Sequence, residues 1–166
     1  ADCDVYSFWN LSKDKPTQGE GIVVAVIDTG VDMYHSDLVA NLVAGYDYVD
    51  DDSNPHPSAG QIIVRVCDPD KPDECRLAPR EVPPNSHGTS CAGIIAAVQN
   101  NGIGVSGIAP KARIMPLRAL SAGGSGQWSW IADSMYFAAN NGADIISMSL
   151  GGLLDGPGLQ AAARQH

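Results

Sequence analysis

Two short stretches of the chain hold residues fit for moving protons. In "IVVAVIDTGVD", residues 22–32, Asp28 ends an apolar, β-branched run and is followed by Thr29 and Gly30. In "SHGTSCAG", His87 opens an apolar stretch, with Gly88 and Thr89 permitting tight backbone approach behind it. One carboxylate and one imidazole make the orienting half of a nucleophilic triad, in which the acid fixes the base and the base activates a hydroxyl. Asp-Thr-Gly also suits a different chemistry, in which two carboxylates share a proton. No second such triplet occurs, so that scheme would need a homodimer, and it leaves the histidine stretch without a role. Taken singly, Asp28 reads equally as a turn former and His87 as a satisfied structural histidine. Their joint occurrence favours the triad.

The elements that must position this pair follow from the apolar pattern. "IVVAVI", residues 22–27, has no polar alternation and is bounded by Gly21 and the Asp-Thr-Gly turn, which predicts a strand buried on both faces. Residues 88–98, "GTSCAGIIAAV", are small and apolar and predict a helix packed closely on a sheet, stopped by "NNGIGVSG". "ARIMPLRAL" reads as a second strand. "SGQWSWIADSMYFAANNG" sets Trp130, Ile131, Ser134, Met135, Ala138 and Ala139 at helical spacing, and "ADIISMSL" reads as a third buried strand. This alternation predicts an α/β fold, a parallel sheet with helices on both faces. In such a sheet ligands gather beyond the carboxyl ends of the strands, where Asp28 stands.

From about Asp47 to Asn85 the rhythm breaks into a stretch rich in Asp, Pro and charge, expected to be a surface excursion with "QIIVRVC" as a small hairpin strand. Cys67 and Cys75 bracket the acidic turn "DPDKPDE". A bridge there would contribute about 2.5 kcal/mol by loop entropy and implies an oxidising compartment; the alternative is two free thiols. A zinc site is a poorer fit, because no second ligand pair accompanies them. Cys91 is expected to be a buried unpaired thiol, and Cys3 has no assigned partner.

The 166 residues, 44% hydrophobic and 17% charged, suit one globular domain with a real core. The formal charge of −9, without a Lys/Arg cluster, argues against nucleic acid or anionic lipid as partner. No apolar run is long enough for a membrane span, and "ADCDVYSFWN" lacks the parts of a signal peptide, so the start reads as mature or trimmed.

"VAVIDTGVDMYHSDL", "SHGTSCAGIIAAVQNNGIGVSGIAP", "GGSGQWSWI" and "DIISMSLGG" occur in the order and approximate spacing of the subtilisin-like serine proteases, the subtilases, which the chain resembles over most of residues 22–152. The resemblance implies a secreted serine endopeptidase, made as a zymogen, acting on proteins or peptides through an Asp-His-Ser triad. Asp28 would fix the tautomer of His87, and His87 would take the serine proton and pass it to the leaving amine. The resemblance also implies that "SAGGSGQ", with Gly123, Gly124, Ser125 and Gly126, is an edge whose backbone pairs with an extended peptide, with Ser149, Leu150 and Gly151 on the other side. Leu120, Trp128 and Leu150 would line an apolar subsite, plain core packing being the alternative for the aromatics. A phosphate-cradling role for "GGSGQ" lacks the strand and lysine it needs.

Calcium is the cofactor the resemblance implies. Asp37 of the H-x-D-L motif would meet the Asn101 side chain and the carbonyls of Val98, Ile103 and Val105, all oxygen donors as a hard cation requires. An N-terminal ligand has no clear equivalent among Asp2, Asp4 and their neighbours. "DYVDDDSN" reads either as a second ion site or as a solvated acidic loop.

The family's nucleophile, in a later Gly-Thr-Ser motif, and its oxyanion Asn have no counterpart in these 166 residues. "GLQAAARQH" resembles the first turns of the family helix after "SLGG". The expectation is therefore an N-terminal portion of one catalytic domain, spanning 1–166 with a surface insertion at about 47–85. It would be inactive alone, and its partner would be the C-terminal portion carrying the serine. The other reading, of a different class, is a non-catalytic fragment that binds peptides or assists folding.

Overall fold

The structure is a computed structural model that describes residues 4–11 and 18–152. Cys3 and the segment "GLQAAARQH" lie outside the described residues. After a short helix α1 (Val5–Asn10) come β1 (Val23–Asp28), a 3₁₀ turn (Val39–Asn41), β2 (Tyr46–Asp47), β3 (Gly60–Asp68), β4 (Lys71–Val82), α2 (His87–Ala96), β5 (Arg113–Arg118), α3 (Trp128–Asn140) and β6 (Ile145–Ser147). Strands β2, β5, β1 and β6 form one parallel sheet in that order, and β3 and β4 form a separate antiparallel ribbon. Among the described residues no helix is long and apolar enough to cross a membrane.

The chain steps from β1 through α2 to β5, then returns through α3 across β1 to β6. Since such crossovers keep one hand, reversing the direction of travel puts the two helices on opposite faces of the sheet. Strand β1 therefore meets a core on each side. Val24 and Val26 pack with Ala92, Ala96, Ala112 and Ile114 under α2, while Ala25 and Ile27 pack with Leu117, Ile131, Met135 and Ala138 under α3. This double burial explains the missing alternation in β1. Small residues on α2 let it approach closely, and Ser134, buried on α3, donates to the Trp130 carbonyl at 2.7 Å.

Next to Asp28, at the carboxyl end of β5, Arg118 is buried and its Nη1 donates to Asp47 Oδ2 and Asp50 Oδ2 at 2.5 Å each, while Nη2 donates to Ser58 Oγ at 2.8 Å. Two acids of "DYVDDDSN" are thereby neutralised by a guanidinium. The same loop holds the turn after Asp28: the Val31 amide donates to the Pro55 carbonyl at 3.0 Å, and a Cβ on Gly30 would stand 3.1 Å from Arg118 Cδ.

The ribbon stands apart from these cores, with Ile63 66% and Leu77 74% exposed. Cys67 and Cys75, paired across it, form a disulfide. Cys91 is a free thiol, and it is half-buried where the sequence predicts full burial, because it lies on the side of α2 that turns toward His87.

Removing the guanidinium leaves buried Asp47 without its partner, so Arg118→Leu should lower unfolding free energy by about 3–5 kcal/mol in urea titration. Ile63→Ala, on the ribbon, should change it by under about 0.5 kcal/mol. Hydrogen bonding to Arg118 holds the Asp50 carboxyl below its ordinary range. A folded value below the unfolded one stabilises fully above about pH 4 and is lost as pH falls through the folded value. The acid-unfolding curve of Arg118→Leu should lack that contribution.

Candidate active site

Asp28 leaves the sheet at the end of β1, 1% exposed, with its carbonyl accepting from the Ala119 and Leu120 amides at 2.9 and 3.1 Å. The two strands thus end together, and the carboxylate projects beyond them. His87 begins α2, and its Nδ1 lies 2.8 and 2.9 Å from the two Asp28 carboxylate oxygens. An ionised carboxylate can only accept, so Nδ1 carries the proton, and in the neutral ring Nε2 keeps its lone pair. The imidazole is half exposed while the acid is sealed, which leaves Nε2 as the reactive face.

A net of short polar links holds this geometry. The Thr29 amide donates to Asp28 Oδ1 at 2.7 Å. Thr29 Oγ1 donates to the Asn85 carbonyl and accepts from the Gly88 amide, both at 3.0 Å. Asn85 Oδ1 accepts from the His87 amide at 3.0 Å, and its Nδ2 donates to the Ala122 carbonyl at 3.2 Å. Gly88 is required by contact: a Cβ there would collide with the Gly30 carbonyl oxygen and stand 2.9 Å from Asp28 Cβ. Thr29 and Asn85 are functional residues that the sequence reading missed. The signal for Asn85 is a short polar side chain two residues before a helix-opening histidine, where it can bond the following backbone.

His87 looks into a cleft of about 530 Å³. Gly124, Ser125, Gly126, Ser149, Leu150 and Gly151 are among its lining residues, with Leu120 and Trp128 as apolar members. Trp128 also packs against the α3 core, so subsite and core packing are both its surroundings. Gly123 is set apart from the lining: a Cβ on it would lie 2.7 Å from Ile62 Cγ2, because the ribbon leans on this point. Ser149 and Ser125 line the cleft, yet no serine hydroxyl is hydrogen-bonded to the imidazole among the described residues.

On the far side of α2, Asp37 is buried and wrapped by the loop after that helix. Asn101 Nδ2 donates to Asp37 Oδ1 at 2.6 Å and the Val105 amide to Oδ2 at 2.9 Å, and these two bonds hold its carboxyl below the ordinary range. The Val98 amide donates to the Asp37 carbonyl, and the Ile103 amide to Asn101 Oδ1. The Asp37 carboxylate thus meets Asn101 and Val105, its main-chain carbonyl meets Val98, and Ile103 joins through Asn101.

A model of the subtilase family matches residues 19–165. Thermitase of Thermoactinomyces vulgaris is 41% identical over 145 residues, covering 87% of this chain and 43% of its own length. A thermophilic serine proteinase of Bacillus sp. strain AK1 is 39% identical, covering 86% of this chain and 28% of its own length. An intracellular serine protease of Paenibacillus polymyxa is also 39% identical, with 90% and 39% covered. The chain therefore spans less than half the length of these curated relatives. With the match running through both the Asp28 and His87 elements, the chain belongs to the subtilase family.

Proposed function

We propose that the complete protein is a subtilisin-like serine endopeptidase, to which this chain contributes the acid and the base as the N-terminal portion of one catalytic domain. The observation that carries this reading is the sealed Asp28 carboxylate on His87 Nδ1 at 2.8 Å, at the mouth of a cleft edged by glycine-rich backbone. His87 Nε2 takes the proton of a serine hydroxyl as that oxygen attacks the substrate carbonyl, then gives it to the departing amine. Asp28 holds the ring in the tautomer that makes this transfer possible and stabilises the imidazolium. The serine and the oxyanion donor belong to the C-terminal portion. Exposed Ile145 in β6 and Met148 just after it support a further layer of protein there.

The substrate is a polypeptide lying extended between residues 124–126 and 149–151, its upstream side chain seated against Leu120, Trp128 and Leu150. The Cys67–Cys75 disulfide favours secretion. Calcium is the cofactor this reading assigns to the Asp37 loop: the carboxylate is buried, Asn101 and the loop backbone close on it, and Gly104 leaves no Cβ between loop and acid. Asp37, Asn101 and the carbonyls of Val98, Ile103 and Val105 would hold the ion, which would tie the loop to the body.

Treating the complete protein with a fluorophosphonate should label one serine, and His87→Ala should abolish labelling; absence of any labelled serine favours the non-catalytic fragment. Asp28→Asn should lower kcat by about 10⁴, or roughly 5.5 kcal/mol, and a loss below about tenfold contradicts the role given to it. Chelation should lower the thermal midpoint of the wild-type protein, and calcium at about 100 times its Kd should restore about 2.7 kcal/mol. Asp37→Ala should remove that calcium dependence.

A further inference from the structure

The β3–β4 ribbon has no part in the machinery described so far, yet its base rests on the cleft rim. A Cβ on Gly60 would lie 3.0 Å from Ala122 Cβ, and Ile62 meets Gly123 in the same way. Residues paired across an antiparallel ribbon share a face, so the register defines what that face carries. With Gly60 and Ile62 come Val64 and Val66 from β3 and, opposite them, Val82, Arg80, Ala78 and Arg76 from β4. Over this shaft the face has two guanidiniums and no acid, in a chain of net charge −9. Neither arginine makes an ion pair among the described residues, and both are exposed. Glu81 falls on the opposite face; toward the tip Asp68 and Glu74 continue this face by alternation, with Glu74 paired to Lys71 at 3.1 Å, so the unpaired cations are those of the shaft.

A two-stranded ribbon is marginal alone, and this one leaves Val66 exposed on this face with Ile62 and Val64 half-buried, while a disulfide secures its far end. Its stripe from Ile62 to Val66 runs about 13 Å, the span of four extended residues.

We propose that this face is an accessory substrate-recognition surface, taking an acidic, apolar-flanked stretch of the polypeptide upstream of the bond to be cut. The inference rests on the protease reading and adds to it the chemistry of the upstream segment. Continuity with the Gly123 rim places the surface where an extended substrate leaves the cleft. Arg76 and Arg80 recognise its carboxylates, while Ile62, Val64 and Val66 cover its apolar side chains.

The test uses the complete protein and three fluorogenic peptides: a short one spanning the cleft alone, and two versions lengthened upstream, one with Asp and Glu, the other with Asn and Gln. The acidic extension should raise kcat/KM about fivefold or more over the amide extension at low salt, and the ratio should fall toward one as salt screens the pairs. In the double variant Arg76→Ser/Arg80→Ser the ratio should be near one at every salt concentration. Equal kcat/KM for the two long peptides, or a preference that survives in the double variant, overturns the proposal while cleavage of the short peptide leaves the protease reading standing. Failure to cleave all three overturns both.

Discussion

A carboxylate sealed from water at 1% exposure is costly unless its charge is met, and Asp28 is met by the Thr29 amide and the proton on His87 Nδ1. That constraint organises the region around it. Thr29 cannot turn its hydroxyl elsewhere, because it ties the Asn85 carbonyl to the Gly88 amide. Asn85 in turn holds both the His87 amide and the Ala122 carbonyl, so the start of α2, the turn after β1 and the glycine-rich edge are fixed to one another. Beyond the acid, the imidazole has the Cys91 thiol 4.0 Å from its Nδ1. Its exposed half is then free for chemistry.

The neighbouring charges are handled by the same rule with different means. Arg118, one strand over in register with Asp28, gathers Asp47 and Asp50 and so gives the acidic loop a cation from the protein itself. Its Nε is buried and has no hydrogen-bond partner among the described residues. Asp37 instead is satisfied by N–H groups of the loop that encloses it. Three buried acids thus have three separate partners: an imidazole, a guanidinium and amides.

Much of this was legible in the sequence where one pattern admitted one explanation. The unbroken apolar run of β1, the helical spacing of Ile131, Met135 and Ala138, and the strand expected at 61–67 all reappear as elements. β4 was unreadable, because Pro72, Pro79 and its many charges argue against a strand; an exposed edge tolerates both. β2 has two residues, too few to show a period. In the site, Asp28 and His87 stand out by residue type, whereas Thr29 and Asn85 act by linking backbone segments distant in sequence. The resemblance puts Gly123 with its neighbours on the glycine-rich edge, and only the position of the ribbon separates it from them.

The two-sided burial of β1 couples architecture to reactivity. Its successive side chains enter different cores, so sliding the strand by one position would send each into the wrong one and turn the terminal acid away from the imidazole. Folding to the correct alignment and joining the carboxylate to the imidazole are, for this strand, a single event, and a misaligned molecule would lose the pair as well as its packing.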